Sequence, residues 1–439
     1  MRKLAGLVSS LLVVATAGAG CTAPGGDGGT DSNPFLDDQA NAGKEDTGYL
    51  NPDGVEVEVD LEGDVAGPAS RLTEAPAQLG QFAMTYFRKS EKLFIESIAE
   101  VNTADTRAEW LVNGTWYPSN RIPTGATLKH WRLKGMNAVL LTASGVPAKV
   151  GNTLTAPVPA KPFSIYTDAG TKCADGEDHI SLDQSVYWYR WEPDQAGCTV
   201  EKQDLKITIS KTFSATSAAP AVYPEYDQLV ADGKVTAVIM FGEIDDGPIT
   251  DSETGMQSFK RYGTWLTGAG FARVTAPLGE RYAKTVHGNR VEIDLYSPRE
   301  FSGLGDYGHF ANFQKAISDH EIVVWDGHSM LGASDFWSRP TYPSTYQIFL
   351  YGGCLGYEYY VQPILAGKGG TWDKLDIMSS VVEVSATANE FAGPAIAKLV
   401  WALDHNYKAS WRQILTQVRT NVGDSTFGVS GVRANKFHP

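Results

Sequence analysis

The sequence predicts two folded parts: an α/β part with a mostly parallel sheet flanked by helices, and before it a mainly β, sandwich-like part. Before about residue 215, short strand-like runs, several of them alternating apolar and polar residues, are separated by turn residues. After that point, apolar runs of strand length alternate with stretches of helical spacing. Alternating strands and helices are typical of a parallel sheet covered on both faces. The boundary is a stretch of small residues and proline, Ala215 to Pro224, which we interpret as a linker.

Composition limits the class of protein before any motif is considered. The 439 residues are 42% hydrophobic and 20% charged, which allows more than one buried core and excludes a disordered or collagen-like chain. The formal net charge is −14, so the chain has no basic footprint for a nucleic acid or an anionic membrane surface. We therefore expect no nucleic-acid partner.

The amino terminus has the pattern of an export signal. Basic residues at 2–3 precede an apolar core, Leu4 to Thr16, which is too short to remain as a membrane span. Small residues and then Cys21 follow, an order that resembles the lipobox of bacterial lipoproteins, although Gly18 stands where that pattern usually has Leu. The resemblance implies a signal peptide at 1–20 and thioether lipidation of Cys21. Ordinary signal cleavage nearby is the alternative.

Residues 21–48 are expected to be the lipidated cysteine and a flexible tether. The segment is rich in Gly and Asp and has almost no large apolar side chain, so burial cannot offset its chain entropy. The expected location is the cell envelope, with the membrane contacted only through the lipid anchor. Thr22 rather than Asp follows the cysteine, and in a Gram-negative cell this favours the outer membrane.

Residues 49–215 are predicted to form the mainly β domain. Val55 to Val59 and Leu205 to Ile209 alternate with the period of two that a half-buried strand has. The stretch from Phe82 to Glu100 is predicted to be a helix.

Two cysteines of this domain are predicted to pair. Cys173 and Cys198 lie near turns, 25 positions apart, and an exported protein folds in an oxidising compartment. A metal site there is disfavoured, because neither cysteine belongs to a CxxC pair.

Residues 216–439 are predicted to form the α/β domain. The expected strands are Val235 to Phe241, Arg273 to Ala276, Arg290 to Tyr296, Glu321 to Trp325, Tyr346 to Tyr351 and Ile377 to Val384. The expected helices are Thr254 to Leu266, His309 to Ser318, Asn389 to Leu403 and Ser410 to Val418. Pro277 to Asn289 and Trp337 to Thr345 are predicted to be long loops that a protease could clip. In such sheets, ligands and catalytic groups lie beyond the carboxyl ends of the strands.

Two apolar strands end in reactive side chains. The run IVVWDGHS places His328 after one strand, and the run IFLYGGCLG places Cys354 after the next. Adjacent strands would bring both to the same edge of the sheet. Cys354 is expected to be the unpaired cysteine, a thiol that His328 can deprotonate. The backbone N–H groups of Ser329 and Cys354 are the candidates for holding the oxyanion.

These motifs resemble the clan CD cysteine peptidases: caspases, legumains, separases and, most closely, the gingipain-type bacterial enzymes. That family has an apolar strand ending in His-Gly and then one ending in a small residue and Cys. The Gly-His at 327–328 matches the gingipain pattern, and the Gly-Cys at 353–354 matches the second block. The resemblance covers about Val235 to Leu403. It implies a caspase-like fold and a cysteine endopeptidase that needs no metal or organic cofactor. Ser329 is a departure, because the family usually has Gly after the His.

Acidic residues near this edge are candidates for substrate recognition. Asp245 and Asp246 follow the first apolar strand, and Asp335 and Glu358 lie near the two motifs. A carboxylate there would pair with an Arg or Lys of a protein or peptide substrate. A solvated acidic loop and a structural calcium site are the alternatives. For the whole protein, the alternative is a catalytically inactive surface lipoprotein of the same fold that binds a protein partner.

Overall fold

Two β-sheets, each formed by a separate part of the chain, organise the protein. The structure is a computed structural model that describes residues 49–90, 92–95, 107–164, 172–173, 191–213, 222–329, 334–381, 384, 391–422 and 427–439. The predicted signal peptide, Cys21 and the tether lie outside these residues, as does most of the predicted linker. Among the described residues, no helix is both long enough and apolar enough to cross a bilayer.

The first sheet is entirely antiparallel in the described ranges. Its strands are β1 Gly54–Asp64, β2 Leu93–Ile95, β3 Ala108–Val112, β4 Thr115–Pro118, β5 His130–Leu141, β6 Thr153–Pro159 and β7 Lys202–Thr212. Their order is β4-β3-β5-β1-β7-β6, and β2 pairs with β5. The described strands form one sheet that carries a helix, and a second sheet of the predicted sandwich is not among the residues that the structure describes.

That helix, α1 Ala75–Ser90, covers the first sheet through one apolar stripe. Leu79, Phe82 and Phe87 recur at helical spacing and are buried. Phe82 also meets the ring of Trp191, whose indole N–H donates to the Pro157 carbonyl at 2.7 Å. The predicted helix at Phe82 to Glu100 was placed too late. The apolar run that follows Ser90 is strand β2, because a short apolar run fits either period and its pairing with β5 decides.

The predicted disulfide of this part is confirmed. Cys173 and Cys198 are bonded to each other. The bridge joins the short described segment 172–173 to the turn that precedes β7.

The second sheet has a parallel centre. Its strands are β8 Lys234–Phe241, β9 Ala272–Val274, β10 Glu280–Val286, β11 Asn289–Tyr296, β12 Ile322–Asp326, β13 Gln347–Tyr351, β14 Leu375–Ser380 and β15 Phe427–Ser430. Their order is β15-β14-β13-β12-β8-β11-β10-β9. The five strands from β14 to β11 are mutually parallel, and the strands at both margins are antiparallel.

Helices connect and cover this sheet. They are α2 Tyr226–Leu229, α3 Thr254–Gly268, α4 Phe310–Asp319, α5 Ser334–Ser338, α6 Gly356–Tyr359, α7 Val361–Gly367, α8 Ala392–Leu403 and α9 Trp411–Val422. The predicted mixed α/β organisation is therefore confirmed. The central strands are mostly apolar and buried because helices cover both faces of the sheet.

One predicted loop is a strand. The segment Pro277 to Asn289 contains β10, which forms a hairpin with β11. His287 and Gly288 form the turn, and both have positive φ, as a two-residue hairpin of this kind requires. Strand β10 lies toward the sheet margin and carries polar residues on its exposed face, so it lacks the continuous apolar run of the central strands.

The first residues described by the structure join the two sheets. Leu50 pairs with Val429 of β15, and the Tyr49 hydroxyl donates to the Ser379 carbonyl at 3.1 Å. Buried Glu56 of β1 accepts a hydrogen bond from the Tyr357 hydroxyl at 3.3 Å. The first part of the chain therefore contacts helix α6, which follows Cys354 directly.

Candidate active site

The carboxyl ends of two adjacent parallel strands form the candidate site. Strands β12 and β13 pair in register up to Trp325 and Tyr351, and the Gly352 N–H donates to the Trp325 carbonyl at 2.9 Å. His328 comes two residues after β12, and Cys354 comes three residues after β13. Both predicted site residues therefore lie at one edge of the sheet.

The imidazole of His328 is half-buried and has a fixed orientation. Its Nε2 lies 3.0 Å from the Ile244 carbonyl oxygen, in the loop after β8. A carbonyl can only accept, so Nε2 carries the proton and Nδ1 holds the lone pair. Nδ1 has no hydrogen bond to any residue in the described ranges. The ring is thus held in the tautomer that can act as a base through Nδ1.

Glycines permit the close approach of β8 and β12 at this edge. A Cβ on Gly327 would lie 2.6 Å from the Trp325 ring and 3.0 Å from the Gly242 Cα. The Trp325 indole N–H in turn donates to the His328 carbonyl at 3.2 Å. A side chain at either glycine would push the His328 loop away from the strand that supplies its hydrogen-bond partner.

Cys354 lies in a tight turn and is 4% exposed. The next residue, Leu355, has a φ of +55°, and the Val384 N–H donates to the sulfur at 3.5 Å. The sulfur is disulfide-bonded. The expectation that Cys354 is unpaired was therefore wrong. Local spacing identified the Cys173–Cys198 bridge but does not predict the bonding state of Cys354.

Ser329, the departure from the family pattern, is accommodated by a buried contact. Its hydroxyl lies 2.7 Å from the Tyr351 hydroxyl, and the Tyr351 ring stacks on Tyr360 at 4.7 Å. A Cβ on Gly353 would come within 2.3 Å of the Ser329 Oγ. The serine therefore fills the space left by a glycine beside Cys354. This contact joins the loop that carries His328 to the loop that carries Cys354.

The phenols beneath this contact stay neutral. Burial raises the pKa of Tyr351 and Tyr360, so both remain protonated in the physiological range. Their hydroxyls act as hydrogen-bonding groups between the two loops.

The acidic loop after β8 divides into engaged and exposed carboxylates. Asp245 accepts from the Thr254 N–H at 2.8 Å and from its hydroxyl, so it caps α3, whereas Asp246 is exposed. Burial raises the pKa of Glu243, and the neighbouring acids Glu253, Asp246 and Asp245 raise it further. A cation placed beside Glu243 would relieve that repulsion. The sequence pattern alone does not distinguish Glu243 from its acidic neighbours.

The other two predicted recognition residues lie in short helices. Asp335 is in α5 and Glu358 is in α6, and both side chains lie outside the described part of the structure. Within the described ranges, no group of three or more His, Cys, Asp or Glu side chains could hold a metal ion.

Two histidines that have no evident partner in the sequence pattern have partners in the structure. His130 bridges Asp64 at 2.7 Å and Glu62 at 3.0 Å on the polar face of the first sheet. Burial lowers the pKa of His130, but the hydrogen bonds to these two acids outweigh it and raise the pKa overall. His287 lies 3.7 Å from Asp404.

Comparison of this chain with known proteins identifies no relative. The chain matches no protein-family model, no curated protein and no solved structure.

Proposed function

We propose that the protein is a cysteine endopeptidase of the caspase and gingipain type. The observation that carries the proposal is the placement of His328 and Cys354 after adjacent parallel strands. The imidazole is oriented there by the Ile244 carbonyl so that Nδ1 is the basic nitrogen. On this proposal, the second sheet is the caspase-like sheet that the sequence motifs imply.

The chemistry starts from the reduced form of Cys354. A thiol reductant supplies two electrons to the disulfide, which yields the Cys354 thiol and the thiol of its partner. His328 Nδ1 takes the proton from the Cys354 thiol, and the sulfur attacks the carbonyl carbon of the scissile bond. The backbone N–H groups of Ser329 and Cys354 hold the oxyanion.

The intermediate then collapses in two stages. His328 returns the proton to the leaving amine, the C–N bond breaks and a thioester to Cys354 remains. Water, deprotonated by His328, attacks this thioester and releases the carboxylic acid and the thiol. Since Cys and His carry all bond-making steps, this mechanism requires no metal or organic cofactor.

The proposed preference is for a basic residue before the scissile bond. Glu243 and Asp246 are the carboxylates best placed for it, because Asp245 is already engaged in capping α3. A substrate guanidinium or ammonium would lower the electrostatic cost of the clustered acids.

Cleavage of a mixed peptide library tests the proposal. The purified protein and Cys354→Ala are compared with and without a thiol reductant. We expect cuts in the reduced wild-type protein that disappear in the variant, with Arg or Lys before each cut. Cleavage that persists in Cys354→Ala would refute the dyad. Cuts after uncharged residues would refute the basic preference alone.

The inactive alternative is favoured by one observation, the disulfide at Cys354, since an oxidised sulfur cannot attack a carbonyl. In that case the protein is a catalytically inactive surface protein of the same fold that binds a protein partner. A folded, fully reduced protein that cuts no peptide, with calcium also tried, would support this alternative.

We also propose export and lipid anchoring through Cys21. Because Cys173 and Cys198 are bonded to each other, Cys21 is the one other cysteine of the four, and a thioether-lipidated Cys21 has no thiol to pair with Cys354. The anchored form is therefore the form in which the Cys354 thiol is available. Radiolabelled palmitate should enter the wild-type protein in a bacterial host and fail to enter Cys21→Ala. Equal labelling of both would contradict the anchor.

A further inference from the structure

A buried glutamate holds the backbone of Ile244, the residue whose carbonyl oxygen meets His328. Glu253 is 4% exposed and stands at the N-cap of α3. Its Oε1 accepts from the N–H groups of Ile244 at 2.7 Å and Gly255 at 2.9 Å, and its Oε2 accepts from Met256 at 2.7 Å. One carboxylate therefore holds both the first turn of α3 and the loop residue whose carbonyl meets His328.

The chain around Glu253 packs directly against the end of β8. A Cβ on Gly255 would lie 2.0 Å from the Gly242 carbonyl oxygen, so the start of α3 is pressed against the end of the strand. Residues 245–248 of the same loop are exposed. Glu253 is thus the buried anchor of a loop whose middle faces solvent.

We infer that Glu253 is a positioning residue for the candidate dyad, acting on His328 through the Ile244 backbone. Glu253 fixes the Ile244 amide, the Ile244 carbonyl accepts the Nε2 proton, and the imidazole keeps its lone pair on Nδ1. The catalytic consequence rests on the proposed peptidase function, whereas the effect on the imidazole does not.

Two substitutions separate this role from helix capping. Glu253→Asp retains a good N-cap for α3 but is one methylene shorter, so it cannot reach the Ile244 amide as well. Glu253→Gln retains one acceptor oxygen at full length, which can still hold Ile244. Thr254→Val is the matched control, because it removes a hydroxyl contact at the same helix terminus without touching Ile244.

The primary readout is the tautomer of His328, measured by ¹⁵N NMR of the full-length protein labelled at histidine and assigned with His328→Gln. We expect the Nε2–H tautomer in the wild type, in Glu253→Gln and in Thr254→Val, and a mixture with the Nδ1–H form in Glu253→Asp. An unchanged tautomer in a folded Glu253→Asp would overturn the inference, whether or not the protein cleaves peptides.

The second readout is peptide cleavage. Glu253→Asp should lose tenfold or more in kcat with little change in KM, up to the roughly 100-fold that misplacing a catalytic group by about 1 Å can cost. Glu253→Gln should recover most of that loss. Absence of Cys354-dependent cleavage in the wild type would refute the proposed function, and the NMR result would still decide the role of Glu253.

Discussion

At the scale of single residues, Ser329 packs against the backbone of Gly353. We expect this contact to set the distance between the loop that carries His328 and the loop that carries Cys354. The serine hydroxyl lies against Tyr351 and fills the space that the glycine leaves open. Ser329 stands where the peptidase pattern has Gly, and Gly353 leaves the space that the serine side chain needs.

Gly353→Ala should destabilise the protein by about 1–3 kcal/mol, the usual cost of overpacking. The added Cβ would lie 2.3 Å from the Ser329 Oγ and 2.9 Å from the Tyr351 ring. Ser329→Gly removes the first conflict, so the double variant should be more stable than the sum of the single effects predicts. Urea unfolding of the four proteins measures this coupling.

Gly303→Ala is the control for this cycle, because a Cβ there meets no atom within 4 Å. Additive effects of Gly353→Ala and Ser329→Gly would contradict the proposed contact.

A second residue-scale feature is a buried carboxylate at the opposite end of the sheet. Burial raises the pKa of Asp376 to about 7, although hydrogen bonds from Tyr346, Asn435 and Trp411 oppose the increase. The folded protein therefore binds a proton that the unfolded chain releases near pH 4. The contribution of Asp376 to stability therefore falls as the pH rises from about 4 to 7, because over that range this group holds a proton in the native state and not in the unfolded chain.

Asp376→Asn should flatten that dependence, since an amide oxygen can still accept the three donors and cannot ionise. Thermal unfolding between pH 4 and pH 8 measures it. Glu321→Gln should remove a further part of the pH dependence of stability, because burial also raises the pKa of Glu321 to about 7. An identical pH profile for wild type and Asp376→Asn would contradict the account.

At the scale of elements, the sequence predicts best those strands that helices bury on both faces. Strands β8, β12 and β13 were predicted to within about a residue, because a continuous apolar run has few other interpretations. Strand β10 was missed, since its polar face at the sheet margin resembles a loop. Helix α1 was misplaced because β2 follows it with a short apolar run.

The site shows the same division. The parallel topology follows from the strand–helix alternation, and the shared edge of His328 and Cys354 follows from that topology. The role of Ile244 could not be predicted, because its backbone carbonyl makes the contact and every residue type has one. Glu253 carries only the weak signal of an acid at a helix start, and the bonding of Cys354 has no local signal at all.

The Cys173–Cys198 bridge joins two segments of the first domain that lie outside its described strands. Replacing both cysteines with serine should lower the free energy of unfolding by roughly 3 kcal/mol in the chain-entropy picture of a loop of this length. Urea unfolding under non-reducing conditions measures this loss. A change below about 1 kcal/mol would mean that the loop is already fixed by other contacts.

At the scale of the whole molecule, the first sheet contacts the second part of the chain beside the candidate site. Glu56 of β1 accepts from the Tyr49 N–H and from the Tyr357 hydroxyl of α6, and Arg433 lies 3.7 Å from it. The buried carboxylate thus joins both parts of the chain next to the Cys354 turn. The second part is therefore expected to need the first for full stability.

Glu56→Ala should destabilise the protein by about 3–5 kcal/mol, because it removes the buried carboxylate that pairs with the Arg433 guanidinium and accepts from the Tyr357 hydroxyl. Calorimetry tests this value. Glu58→Ala is the control, since the Glu58 carboxylate contacts a half-exposed lysine, Lys211, on the same strand pair. Equal losses in both variants would contradict a special role for Glu56 in joining the two sheets.

Labelling of Cys354 by a peptidyl acyloxymethyl ketone tests the central claim most directly. The electrophile carries a basic residue next to its reactive carbonyl and is added to the reduced full-length protein, and the adduct is located by mass spectrometry. A His-activated thiol predicts a single adduct on Cys354 that forms at least about 100-fold more slowly in His328→Ala, the lower range for a lost general base. Labelling of Cys354 at the same rate in wild type and His328→Ala, or no labelling of Cys354 in folded and reduced protein, would contradict the account.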